Sequence, residues 1–187
     1  FCVLRKSYRN TVEIANFASD ILAHGEFPGY GAEPVIRHGE AVGIRQTAGR
    51  DLYREAAKIC KGWQADGFDT IAVICRDQKQ AQETAELLQK ELPVMPWDPE
   101  KASFEKGIMV FPVEYTKGLE FDAVLMLNPD RESYPIDDGH AKLLYVAATR
   151  ALHRLEVLHT GNLTGLIADP IPKRNKKRVS GAKKKVV

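Results

Sequence analysis

Several things are absent from this chain of 187 residues, and each absence narrows what it can be. No apolar run reaches the roughly 18 residues a membrane-spanning helix needs. The first residues show no charged-then-apolar signal pattern, which sets a cytoplasmic location as the expectation. The three cysteines (Cys2, Cys60 and Cys75) are odd in number and form no C-x-x-C pair, so reduced, buried thiols are expected rather than a disulfide framework or a zinc site. No G-x-x-x-x-G-K-[ST] phosphate loop occurs, and Lys117-Gly118-Leu119 does not make one. No internal repeat is found. Acidic residues are missing after Asp169, where eight of the 27 Lys and Arg residues lie, leaving 19 bases against 25 acids before that point, a net of −6. An acidic body of residues 1–168 with a basic tail over 169–187 is the expected division. The tail suits either a solvated, disordered terminus or binding to nucleic acid by counterion release.

The composition that remains, 44% hydrophobic and 28% charged, is that of a globular domain with a sizeable core. Apolar residues at spacings of three and four (Val12, Ile14, Ala15, Phe17, Ala18, Ile21, Leu22) predict an amphipathic helix. Asn10 or Thr11 caps it, Glu13 sits in its first turn and Gly25 ends it. Residues 25–43 carry the breakers Pro28, Gly29, Gly31, Pro34 and Gly39 and read as a loop. Val42–Gln46 reads as a short alternating strand. A helix over Leu52–Trp63 puts Leu52, Ala56, Ile59, Cys60 and Trp63 on one face, and Gly67 stops it. Thr70–Cys75 is apolar on both faces, the pattern of a central parallel strand covered by helices. Asp77 caps a further helix running to about Leu92, which buries Ala81, Thr84, Ala85, Leu88 and Leu92. A proline-rich connection, 93–106, holds Trp97, expected to be buried, and leads to the strand Ile108–Phe111. Strands alternating with helices predict an α/β domain with a mostly parallel sheet and helices on both faces.

Two polar stretches stand out near the end. Val113–Asp122 (VEYTKGLEFD) passes through a Lys-Gly turn into the strand-like Ala123–Leu127. Leu144–Ala151 (LYVAATRA) is a helix with an arginine near its end, followed by Leu155–Leu158. Such loops at the ends of adjacent strands, one carrying a lone arginine, suit a phosphate-bearing ligand on an α/β sheet.

The pair resembles motifs V and VI of superfamily 1 helicases of the UvrD/Rep/PcrA and HelD type, and Ser7–Ser19 (SYRNTVEIANFAS) resembles their motif IV. The resemblance covers residues 1 to about 165. It implies a RecA-like, P-loop NTPase-like second motor lobe, domain 2A, which cooperates with an N-terminal motor domain of the same protein that carries the phosphate loop and the Mg2+ carboxylate. It implies ATP as the cofactor and a helicase or translocase acting on DNA as the whole protein. By motif position, Tyr8 stacks on adenine, Arg9 and Arg150 reach the γ-phosphate, Glu120 accepts hydrogen bonds from the ribose, and Gly118 permits the loop's turn. From the residues alone, Tyr8 is a half-buried tyrosine, Arg9 a surface arginine, Arg76 a helix-start surface residue, and Arg150 a cation against a helix C-terminus. Tyr145 and Leu144 read as core.

The sequence departs from the UvrD pattern at two places. Pro112 and Glu114 stand where that branch has Thr and His, and a proline cannot donate while a carboxylate repels phosphate. Few residues separate motif IV from the next strand, too few for an accessory-domain insertion. Both features resemble HelD-type proteins more closely, which implies an alternative: an ATPase that binds bacterial RNA polymerase and remodels transcription complexes without unwinding DNA. A standalone nucleotide- or RNA-binding α/β domain is a third reading.

Overall fold

A computed structural model describes residues 6, 7, 10–25, 33, 34, 37–98 and 106–167. Tyr8, Arg9 and the basic tail lie outside the described residues, as does the strand expected over Phe1–Leu4.

Six strands form one all-parallel sheet: β3 (Gly43–Gln46), β4 (Thr70–Cys75), β5 (Met95–Pro96), β6 (Gly107–Pro112), β7 (Phe121–Leu127) and β8 (Ala151–His159), in the order β3-β8-β7-β4-β6-β5. Two shorter strands, β1 (Lys6–Ser7) and β2 (Glu33–Pro34), pair with each other, also in parallel. Among the described residues, four α-helices accompany the sheet: α1 (Val12–His24), α2 (Leu52–Ala65), α3 (Gln78–Leu88) and α4 (Asp138–Ala148). The α/β class and the parallel sheet are as the sequence implies.

The interior strands are apolar on both sides because both sides are covered. Along β4, Ala72 and Ile74 point into a core shared with α1 and α4, whereas Ile71, Val73 and Cys75 point into a second core shared with α2 and α3. β6 divides likewise, with Met109 and Phe111 on the first side and Ile108 and Val110 on the second. In β7 a register shift between Phe121 and Ala123 sends Phe121, with Val124 and Met126, into the first core.

Helix starts follow their side chains. Thr11 caps α1, its Oγ1 accepting from the Ile14 amide at 3.4 Å. Asp77 and Asp137 cap α3 and α4, accepting from the amides of Gln80 and His140 at 2.9 Å each. Gly67 takes φ +91 just past α2, the left-handed geometry that ends a helix at low steric cost.

Four expectations need correction. α3 stops at Leu88 rather than Leu92. The Leu92 amide still bonds to Leu88 O, but as part of a turn, and its side chain is buried all the same. The connection after it is not wholly loop, since Met95–Pro96 pairs with β6 as the outermost strand, an edge where a missing N–H is tolerated. β3 does not alternate: it lies at the other edge, with Ile44, Arg45 and Gln46 all exposed. Trp97 is half-buried, its ring 4.0 Å from that of the exposed Tyr115.

Candidate functional site

Parallel strands give the sheet a carboxyl edge and an amino edge, and the two motif loops meet at the amino edge. After β6 the chain makes a 3-10 turn, Val113–Thr116, held by the buried Thr116 hydroxyl donating to Val113 O at 2.7 Å. It then runs through Lys117–Glu120 to the start of β7. Lys117 and Gly118 are exposed, and Leu119 and Glu120 are half-buried. Gly118 has φ +84, and a Cβ built there would meet nothing within 4 Å. Conformation, not space, demands glycine at this position.

Arg150 occupies the turn between α4 and β8. Its carbonyl accepts from the Phe121 amide at 2.9 Å, which joins the two motif loops through the first rung of the β7–β8 pairing. The guanidinium is half-buried and held by three hydrogen bonds. Nε donates to Val146 O at 3.1 Å, Nη1 to Leu119 O at 3.1 Å and Nη2 to Thr149 Oγ1 at 3.2 Å. The Val146 bond satisfies a carbonyl in the last turn of α4, where a cation also suits the helix dipole. The Leu119 bond crosses to the other loop. Arg150 therefore stands against the loop that holds Gly118 and Glu120, whereas Tyr8 and Arg9 lie outside the described residues.

The edge on which the loops lie is not the usual ligand edge of such sheets. Ligands of open α/β sheets ordinarily bind beyond the carboxyl ends of the strands, yet Glu120 precedes β7 and Arg150 precedes β8, so both stand at the amino ends. Arg76, at the carboxyl end of β4, is on the opposite edge. It is structural there: Nε donates to Ser133 O at 2.9 Å, the guanidinium lies 5.4 Å from the Tyr134 ring centroid, and Nη1 is 4.0 Å from Glu114 Oε1. Pro112 and Glu114 share that carboxyl edge. Leu144 is core, and Tyr145 packs partly buried against it.

Asn10 is the residue that sequence reasoning missed. It was expected only as a helix cap, a role that Thr11 fills. Instead its buried Nδ2 donates to Thr149 O at 3.0 Å and to Ala151 O at 2.5 Å, the two carbonyls that flank Arg150. Arg37 adds a third bond nearby, Nη2 to Leu152 O at 2.6 Å, and its own carbonyl accepts from Val12 N at 3.0 Å. An asparagine directly before a helix cap has a donor to spare for something else, and that was the available signal.

The donor set fits a polyphosphate. It combines a permanently charged guanidinium, an exposed lysine two residues from its Leu119 partner, and open space over the left-handed Gly118. Among the described residues, no cluster of His, Cys, Asp and Glu is arranged to hold a metal ion, and no helix is long and apolar enough to cross a membrane.

An all-parallel sheet covered by helices on both faces is the architecture of a RecA-like α/β domain. Residues 107–158, from β6 into β8, match the family of UvrD-like helicase C-terminal domains. Among solved structures, the chain is similar to the C-terminal domain of a possible DNA helicase from Lactobacillus plantarum WCFS1, with a TM-score of 0.71 and 25% identity, over 87% of this chain and 92% of that one. No curated protein sequence matches the chain. The resemblance read from the two motifs thus holds both in sequence, over 107–158, and in fold.

Proposed function

We propose that this chain is the C-terminal motor lobe of an ATP-dependent superfamily 1 DNA helicase or translocase. Its amino edge would close against an N-terminal motor domain of the same protein, which holds the phosphate loop and Mg2+. Bound there, ATP supplies the phosphoryl group that is transferred to water. Arg150 brings to that interface a positive charge that no pH change in the physiological range removes, and its planar fork matches two phosphate oxygens. Charge of this kind, fixed before reaction, is the main contribution a protein makes to phosphoryl transfer. Arg9 supplies a second cation, Tyr8 a stacking face for the adenine, Glu120 a carboxylate for the ribose hydroxyls, and Gly118 the close backbone approach.

One observation supports this reading above the others. Arg150 sits where the two motif loops touch, and its guanidinium spans them from Val146 O to Leu119 O. An arginine needed only to close α4 would have no reason to bridge to the loop before β7. In the full-length protein, Arg150→Ala should lower ATP turnover by about a thousandfold or more while leaving nucleotide affinity close to the parent's. Turnover near the parent rate would sink the assignment.

A second reading, a HelD-like ATPase that binds bacterial RNA polymerase, draws support from the carboxyl edge. Glu114 is exposed there, 4.0 Å from Arg76, where a strand of DNA would meet a negative charge. ATPase assays of the full-length protein alone, with single-stranded DNA and with purified RNA polymerase separate the two. Stimulation by DNA supports the translocase, and indifference to DNA with a response to polymerase supports the remodeller.

A further inference from the structure

We propose that Asn10 is the positioning residue for Arg150, a role that rests on reading Arg150 as the γ-phosphate arginine. Asn10 lies 139 and 141 residues from the two carbonyls it holds. Its Nδ2 carries two hydrogens, one for Thr149 O and one for Ala151 O, and these are the carbonyls on either side of Arg150. Thr149 O belongs to the peptide plane that enters the Arg150 Cα. Arg150 O, in the plane that leaves it, is held by the Phe121 amide at 2.9 Å, and Ala151 O pins the plane after that. Asn10 and Phe121 together therefore set the Arg150 Cα and the direction in which its side chain leaves. The site needs an amide for this. A hydroxyl has one hydrogen to give, and an ionised carboxylate has none.

Burial strengthens the clamp. Asn10 is 6% exposed; its bond to Ala151 O is buried and its bond to Thr149 O partly so, and removing the amide would take the donor from both carbonyls. The N-terminal segment reinforces it from a second point, where Arg37 reaches Leu152 O. A γ-phosphate arginine needs such a clamp, because a displacement of about 1 Å is enough to lose much of the rate.

The test has two readouts. In this 187-residue chain, hydrogen exchange at the Arg150 amide and at its side-chain Nε–H reports directly on the turn. Asn10→Ala should speed both by about tenfold or more. Thr164→Val is the control: it removes a buried hydroxyl that donates to Tyr134 O at 2.6 Å, away from the turn, and should leave exchange at Arg150 unchanged. Asn10→Leu keeps the side-chain volume and removes only the donors, and it serves if the alanine variant does not fold. In the full-length protein, Asn10→Ala should lower kcat about tenfold with nucleotide Kd unchanged, and should cause no further loss when Arg150→Ala is already present. Unchanged exchange at Arg150, or the same loss of kcat with and without Arg150, overturns the proposal. If Arg150→Ala itself leaves kcat at the parent level, it is the reading of Arg150 that fails, and the exchange result still decides whether Asn10 fixes the turn.

Discussion

Asp122 and Thr70 hold each other in both directions across the amino edge of the sheet. The Thr70 hydroxyl donates to Asp122 Oδ2 at 3.0 Å and accepts from the Asp122 amide at 2.9 Å, while the same Oδ2 takes the amides of Thr70 and Asp69 at 2.9 and 3.0 Å. One carboxylate thus fixes the start of β4 against the start of β7, directly beneath the motif loop that ends at Glu120. Asp122→Ala should lower unfolding free energy by about 2 kcal/mol, because it strands three donors, and Thr70→Val by about 1 kcal/mol. Urea denaturation reads this as a lower midpoint at unchanged slope.

The strap of residues 37–40 is pH-sensitive through Glu13. A hydrogen bond with the His38 ring, followed by one from the Gly39 amide at 2.8 Å, holds the Glu13 carboxyl down at about 2, against an ordinary value of 4.5. A depressed carboxylate stabilises the fold fully above its unfolded value and loses that contribution as pH falls through the folded one. The melting temperature of the parent should therefore exceed that of Glu13→Gln by a constant margin above pH 4.5, and the margin should close as pH falls toward 2. A margin that does not change with pH would show that the strap is held by other bonds.

Glu156 behaves in the opposite sense. Burial within β8 raises its carboxyl above the usual range, and the neighbouring Arg45, ion-paired to Oε1, partly offsets this. Between the ordinary and the raised value the folded chain holds a proton that the unfolded chain has released, so stability falls as pH rises through that window. Arg45→Ala removes the offsetting charge. It should cost about 1 kcal/mol at pH 8, given how exposed the arginine is, and distinctly less at pH 5. Thermal melts at the two pH values decide it.

Cys60 and Cys75 are buried, and burial pushes both thiols up to about 12. Neither is a thiolate at neutral pH, so neither is a nucleophile in the folded chain. In a Cys2→Ser background, a thiol reagent should label the native protein only at the rate of global unfolding. Fast native labelling would place one of these thiols nearer to solvent than the fold allows.

Much of the architecture was legible because burial on two faces leaves a strong mark. Thr70–Cys75 is apolar at every position but its first, and only a covered interior strand tolerates that. Asp77 announced α3, yet the helix end was misread: Leu92 keeps the helical spacing of its buried neighbours, and no glycine marks the turn after Leu88. Met95–Pro96 escaped notice because two residues carry no periodicity. That the loop of Gly118 and Glu120 and the turn of Arg150 lie at the ends of adjacent strands was legible, but their place at the amino edge was not, since a loop does not show which rim of a sheet it lies on until the strand directions are known. Asn10 was the hardest to read, because its meaning lies in carbonyls 139 and 141 residues away.

The connection between β6 and β7 has a mechanical consequence. It leaves the carboxyl rim at Pro112 and arrives at the amino rim at Phe121, passing β4 on the way. Six residues of strand height and two inter-strand spacings separate its ends by about 22 Å. The chain bridges that distance through the 3-10 turn of Val113–Thr116 and a second turn closed by the Leu119 amide on Thr116 O at 3.1 Å, with little extended chain besides. Glu114 at one rim and Leu119 at the other are therefore joined by a short cord, and a displacement of Arg150's acceptor loop pulls on the turn that Thr116 closes.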